Sequence, residues 1–331
     1  MPNEGTVDQP PSENNLKPVE KMNGTILFLG VDVLKGNGGL LVPDAARFAG
    51  DVLTDYDYRL MKDIAIGLKL NQPVFLEGGS GIGKSTTVDR MCAWLNTASW
   101  YANCKEMDFE TLIGGPRDRE DTKSGFGWAD GIVLQWLRNG GVLFLDEYTF
   151  MRGEVRGGLH EMMDALLSGK SEVTIVENNN ERVTVHPECR LVVAANPPGR
   201  GYQNREVLDA AQYTRFVYIK LPDDLPEDVK RARALGYIGR DNEVTIGLQE
   251  YLFAGEGLTR EQLTNIPGIQ EIIEKYVVFS ETIEGMAGAA GNRQIGADLA
   301  QPAHFAFQRD FNRVMQFVQT FYRGDINETM R

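Results

Sequence analysis

The chain has 331 residues, 42% hydrophobic and 24% charged, which is enough apolar material for a buried core and enough length for two or three domains. Its 34 Lys and Arg against 47 Asp and Glu leave a formal net charge of −13, which argues against general binding to nucleic acid or to an anionic membrane. Three cysteines without metal-type pairing read as reduced thiols, and His160, His186 and His304 lie too far apart for a zinc site. No apolar run approaches the ~18 residues of a membrane span, and the start MPNEGTVDQP lacks a basic and apolar signal pattern, so a cytoplasmic protein is expected.

Residues 1–22 are rich in Pro, Asn and Glu with few bulky apolar side chains, and they are expected to form a disordered tail. The stretch TILFLGVDVLKGNGGLLVP then predicts two strands around a Gly-Asn-Gly-Gly turn, a hairpin over 24–42. In DYDYRLMKDIAIGLKL (55–70), Leu60, Ile64 and Leu68 recur at helical spacing.

From residue 73 short apolar runs alternate with amphipathic stretches. The runs are 73–77, 98–104, 142–146, 190–195 and 216–221; the helical stretches include 84–96, 129–138 and 153–167. Continuous apolar strands alternating with helices predict an α/β domain over 23–222, with a parallel five-stranded sheet covered on both faces. Within it, SEVTIVENNNERVTVHPE (171–188) alternates apolar and polar residues around Asn178-Asn179-Asn180 and predicts an inserted β-hairpin. After Pro222 only helical patterns remain, so 223–331 is expected to be a smaller, all-helical domain.

The most specific signal is Gly78-Gly79-Ser80-Gly81-Ile82-Gly83-Lys84-Ser85-Thr86, which fits the pattern of a phosphate-binding loop between a strand and a helix. Glycines permit the backbone angles that aim successive N–H groups inward, and their missing side chains let phosphates approach. The helix that follows points its positive dipole end at the same place. Lys84 is expected on the β- and γ-phosphates and Ser85 on a Mg²⁺ ion, which prefers hard oxygen ligands.

Two further strands end in chemistry. GGVLFLDEYTF (140–150) closes on Asp146-Glu147, where an Asp can hold Mg²⁺ through its water shell and a Glu can orient and deprotonate an attacking water. RLVVAANPPGRGYQ runs into Asn196, a neutral donor suited to the γ-phosphate or that water. Alone, Asp-Glu is an acidic turn and Asn-Pro-Pro-Gly a turn signal; their order behind a phosphate loop makes them informative.

This series, with the later Arg-Phe of LDAAQYTRF, resembles the AAA+ ATPases. DEYTFMRGEV, LHEMMDALLSGKSEVTI and HPECRLVVAANP are similar to the corresponding passages of the MoxR branch and its relatives CbbQ, NorQ and GvpN, over roughly residues 50–300. The resemblance implies residues 78–86 as the nucleotide-binding loop, Ser85 and Asp146 at the metal, Glu147 as catalytic base and Asn196 as first sensor. It implies Arg215 as an arginine finger reaching the γ-phosphate held by the next subunit, with Arg152 or Arg200 able to share that task. It implies Arg293 as a second sensor, contributed by a helical lid. ATP and Mg²⁺ follow as cofactors, with a homo-oligomeric, hexameric ring as the assembly. The partners so implied are a protein client, such as a metalloenzyme, and a separate protein carrying a von Willebrand A domain.

The hairpin tip VENNNER is polar and carries no aromatic residue, which favours recognition of a folded client over threading of an unfolded chain; packing on a neighbouring subunit is the alternative. Two other functions stand beside the remodeller. One is a nucleic-acid-associated motor of the restriction-system kind, against which the acidic composition speaks; the other is a structural subunit whose oligomeric state is set by nucleotide.

Overall fold

A computed structural model describes residues 18–21, 24–48, 51, 53–105, 107–118, 126–197, 208, 210–239, 265–278, 311 and 315. At its centre is a parallel sheet of five strands, β4 (Val74–Glu77), β5 (Ser99–Asn103), β8 (Gly141–Asp146), β11 (Cys189–Ala195) and β12 (Val217–Lys220). Their spatial order is β12-β4-β11-β8-β5. Three of them, β4, β11 and β8, thus lie side by side in the middle, with Ala195 opposite Glu77 and Val193 opposite Leu145.

The central strands are apolar on both faces because helices cover both. Val74, Leu76, Val142, Phe144, Val192 and Ala194 pack on one side with α1 (Asp55–Lys69) and α2 (Lys84–Trp94). Phe75, Leu143, Leu145, Leu191, Val193 and Ala195 alternate with them and pack on the other side with α4 (Ile132–Asn139) and α5 (Gly153–Ser168). A parallel sheet needs this double cover, and it explains why these runs show no polar alternation.

Around the sheet stand smaller pieces. The strands β1 (Val19–Glu20), β2 (Thr25–Phe28) and β3 (Val31–Leu34) form an antiparallel sheet, so part of the expected tail is ordered, paired through Val19 to Leu27 and Glu20 to Ile26. The hairpin turn lies at Leu29-Gly30, both at positive φ (50° and 80°), and not at the expected Gly-Asn-Gly-Gly. Two successive left-handed residues match the twist of a two-residue hairpin loop. The first of those glycines instead presses on the segment just after α2: a Cβ on Gly36 would stand 2.4 Å from the Asn96 carbonyl oxygen.

The expected hairpin at 171–188 is present as β9 (Glu172–Ile175) against β10 (Glu181–Thr184), with Asn179 and Asn180 at positive φ in its turn. A second hairpin, β6 (Gly114–Asp118) and β7 (Phe126–Asp130), follows the short α3 (Phe109–Leu112). It corrects the expected helix over 129–138, which starts only at Ile132. Arg138, at the end of α4, donates to both hairpins, through Nε to Asp130 (2.8 Å) and through Nη2 to Glu181 (2.6 Å).

Beyond α6 (Ala210–Tyr213) and β12, α7 (Glu227–Gly239) packs back on the α1 side through Val229, with Leu225 just before it in the same core. It is held there by Arg233, which donates to Asp57 at 2.6 Å, both side chains under 10% exposed. A helix over 269–278 is also described, as are Phe311 and Met315, both buried; Arg293 lies outside the described residues.

Candidate functional site

The site forms where β4, β11 and β8 end together. Gly78 and Gly79 continue β4 into the loop, Gly78 N–H donating to Ala195 O and Gly79 N–H to Pro222 O, both at 3.1 Å. Gly79 has no room for a side chain, because a Cβ there would lie 1.5 Å from Asp223 O. Ser80 and Gly81 are exposed, Ile82 is anchored in the core and Gly83 caps α2 in a left-handed conformation (φ 100°). In front of Gly83 there is space: the nearest atom to an added Cβ is Thr87 Oγ1, at 3.9 Å.

Lys84 opens α2 and is 7% exposed. Its Nζ donates to Gly78 O and Gly79 O, both at 2.7 Å, and to Asn196 Oδ1 at 2.8 Å. Asn196, one residue past β11 and 6% exposed, uses its amide Nδ2 to donate to Glu147 Oε1 at 3.1 Å. Next along the sheet, Ser85 Oγ donates to Asp146 Oδ2 at 3.2 Å, and the Glu147 N–H donates to Asp146 Oδ1 at 2.9 Å. Lys84 and Ser85 of the first turn of α2, Asp146 and Glu147 at the end of β8 and Asn196 past β11 are thereby joined in one hydrogen-bonded cluster. Thr86 stands exposed in the first turn of α2.

Glu147 adopts φ 55° and ψ 38°. A glutamate held in the left-handed region costs about 1–3 kcal/mol and persists only where its surroundings impose it, which is a mark of functional sites. The turn lifts its carboxylate off the strand and towards Asn196.

The electrostatics of this corner are negative. Burial first, then the Asp146 and Glu147 charges, push the Cys104 thiol far above its ordinary range; burial and Asp146 do the same in kind to the Tyr101 hydroxyl. A hydroxyl and a carboxylate at the foot of a glycine loop form an all-oxygen donor set, which suits Mg²⁺. Gly83 with its open front, the α2 amino terminus and the Lys84 ammonium suit a polyphosphate. The residues present therefore fit both groups.

Arg215 is elsewhere. It lies in the turn between α6 and β12, and β12 starts opposite Val74, the first residue of β4. Since the phosphate loop follows the last residue of β4, four residues at ~3.3 Å put Arg215 about 13 Å or more from its own loop along the strand direction. Its side chain binds Asp164 of α5, Nε to Oδ1 at 2.9 Å and Nη2 to Oδ2 at 3.4 Å. Arg152 is exposed just before α5; Arg200 lies outside the described residues. Asp164 had no signal of its own, being one acidic residue on a helix 51 positions before its partner.

Comparison with known proteins agrees with this geometry. Residues 73–216 match the family AAA domain (dynein-related subfamily). Protein NorQ of Paracoccus denitrificans is 27% identical over 234 residues, 70% of this chain and 79% of that protein. The denitrification regulatory protein NirQ of Pseudomonas aeruginosa is 28% identical over 57% of this chain and 67% of its own length. Midasin of Dictyostelium discoideum is 30% identical over 159 residues, of which the match spans 47% of this chain and 2% of midasin. With a glycine loop, an acidic strand end and a third strand that runs into Asn196 on a five-stranded parallel sheet, residues 73–216 form an AAA domain, and the chain is similar to the MoxR-type AAA+ proteins NorQ and NirQ.

Proposed function

We propose that this protein is a Mg²⁺-dependent ATPase that assembles into a ring, expected to be hexameric, and uses turnover to remodel or activate a client protein, such as a metalloenzyme. The observation that carries this reading is the cluster Lys84–Asn196–Glu147 beside Ser85–Asp146. It brings a phosphate-binding ammonium, a neutral donor, a base and a metal-ligand pair to one sheet edge.

In this mechanism the N–H groups of residues 80–86 and the Lys84 ammonium bind the triphosphate, while Gly78 and Gly79, whose N–H groups are held by Ala195 O and Pro222 O, shape the loop. To do so Lys84 exchanges its carbonyl partners for phosphate oxygens. Ser85 and Asp146 would hold a Mg²⁺ ion, which would supply positive charge to offset that of the triphosphate. Glu147 orients a water in line with the γ-phosphorus and accepts its proton. Asn196 keeps Glu147 aimed and senses the γ-phosphate with the same amide.

The position of Arg215 supports a finger acting in trans, since its own loop lies at the other edge of the sheet. A guanidinium fork matches the spread charge of a transferring phosphoryl group. Arg293 is proposed as the second sensor in a lid domain over 223–331, and hydrolysis lets that lid turn against the sheet domain. The two hairpins tied by Arg138 form the surface offered to the client, and Phe126 and Val176 are exposed on it. A von Willebrand A protein as co-partner and a cytoplasmic site of action belong to the same proposal. Among the described residues no helix is long and apolar enough to cross a membrane.

The test is a pull-down with Glu147→Gln loaded with ATP, alongside steady-state turnover with and without DNA. The reading expects ring and client to be retained together and DNA to leave the rate unchanged. Turnover equal to that of the unaltered chain removes Glu147 from the base's role, and DNA stimulation favours the motor instead.

A further inference from the structure

We propose that Asp164 is a positioning residue for Arg215, holding the guanidinium in the orientation in which a neighbouring subunit's γ-phosphate meets it. This rests on the reading of Arg215 as a finger supplied in trans.

The geometry comes from two anchors. The backbone at Arg215 is fixed by its own turn, Arg215 N–H to Gln212 O at 3.2 Å and Phe216 N–H to Tyr213 O at 3.1 Å. Phe216, the next residue, is locked among rings, 5.6 Å from Phe75 and 5.9 Å from Tyr148 between centroids. The far end of the side chain is then fixed by Asp164, whose two carboxylate oxygens take the Nε and Nη2 donors side-on. Arginine has five N–H donors in a planar fork, so a side-on carboxylate defines the plane and direction of the whole group while engaging two of them.

The placement suits a group that must be met from outside. The Arg215 side chain is 25% exposed and that of Asp164 50% exposed. Asp164 comes late in α5, which starts after the carboxyl end of β8 and carries Asp164 back to the sheet edge where β12 begins. The pair therefore sits at the edge away from its own phosphate loop. The arginine also holds the Asp164 carboxyl below its ordinary range, with His160 and Lys170 adding to the effect, so Asp164 stays ionised at neutral pH. Ordering a long, rotamer-rich side chain at the moment of contact costs about 0.5–1.5 kcal/mol, and a group already held avoids that cost. An exposed carboxylate takes little from the finger's charge, because solvent screens it.

The experiment compares Asp164→Asn, Asp164→Glu and Arg215→Ala in the full chain, reading ATP turnover, sedimentation and thermal unfolding. Asp164→Asn is expected to lower kcat about 3- to 30-fold, the loss of one charge-assisted contact, with KM for ATP, ring assembly and melting temperature unchanged. Asp164→Glu should recover most of the rate. If Arg215→Ala is inactive while Asp164→Asn turns over normally or faster, the positioning role is overturned and the finger stands. If Arg215→Ala itself is fully active, the finger reading fails first. A melting or assembly defect in Asp164→Asn that tracks the loss of rate, without rescue by Glu, makes the contact structural and also overturns the proposal.

Discussion

Asn196 donates to Glu147 with the same amide whose oxygen accepts from Lys84, so one side chain joins Lys84 to Glu147, next to the Ser85–Asp146 pair. That bridge exists because β11 lies between β4 and β8, and Asn196 is the first residue past its end. Replacing Asn196 with Ala removes both contacts and leaves Glu147 unaimed. We predict a fall in kcat of about 10- to 100-fold, the scale of a hydrogen bond to a charged group, with a smaller change in ATP affinity. Weakened ATP affinity with kcat unchanged would assign Asn196 to binding alone.

Glu147→Gln keeps the shape and the Asn196 contact but cannot accept a proton. Turnover should fall by roughly 10²- to 10⁴-fold while nucleotide binding persists, a range typical of removing a general base. Phosphate release and equilibrium titration on the same preparation separate the two effects.

Gly79→Ala tests the loop's packing. A Cβ there meets the Asp223 carbonyl oxygen at 1.5 Å, a backbone contact that cannot swing away. The loop or the 222–223 segment must shift, and nucleotide affinity should drop together with the melting temperature. Normal ATP binding in Gly79→Ala would show that the loop is not held from behind in this way.

The placement of the candidate site was legible in the sequence where buried strands run straight into glycine or polar residues: Glu77 into Gly78, Leu145 into Asp146-Glu147, Ala195 into Asn196. Continuous apolar runs identified the strands, and their carboxyl ends identified the residues that the fold brings together. What escaped was set by distant partners. The strands Gly114–Asp118 and Phe126–Asp130 contain Gly, Pro and charges, poor strand formers on their own, and pair because each supplies the other's ladder. The first hairpin turns at Leu29-Gly30 although a richer glycine cluster begins six residues on, where Gly36 is packed closely on Asn96 and Thr97. Asp164 with Arg215, and Asp57 with Arg233 across 176 positions, are contacts that no local pattern announces.

The Asp57–Arg233 pair is buried on both sides, at 5% and 7% exposure, and ties α7 to α1. Removing one partner strands a charge in the interior. Arg233→Met is expected to cost about 3–5 kcal/mol in chemical denaturation, with Asp57→Asn in the same chain recovering part of it. A loss under about 1 kcal/mol would mean that the site is wetter than its burial indicates.

The thiols give a pH prediction. Cys92, Cys104 and Cys189 are all buried, and burial pushes Cys92 and Cys189 from an ordinary value of 9.0 up to about 12. Each is kept neutral in the folded chain where the unfolded chain already ionises it. The unfolded state then binds fewer protons above about pH 9, so these groups make stability fall as pH rises from there towards 12. At pH 8 a thiol reagent should label none of the three natively and all three in denaturant. Fast native labelling would contradict their burial.

The central claim is that one triphosphate is cleaved between two copies of this chain, held by Lys84 of one and met by Arg215 of the other. Arg215→Ala and Lys84→Ala are each expected to be inactive alone. Mixed in equal amounts and allowed to exchange subunits, they should regain part of the ATPase rate, because some interfaces then combine an intact loop with an intact finger. No recovery on mixing, from rings shown to contain both variants, would contradict it.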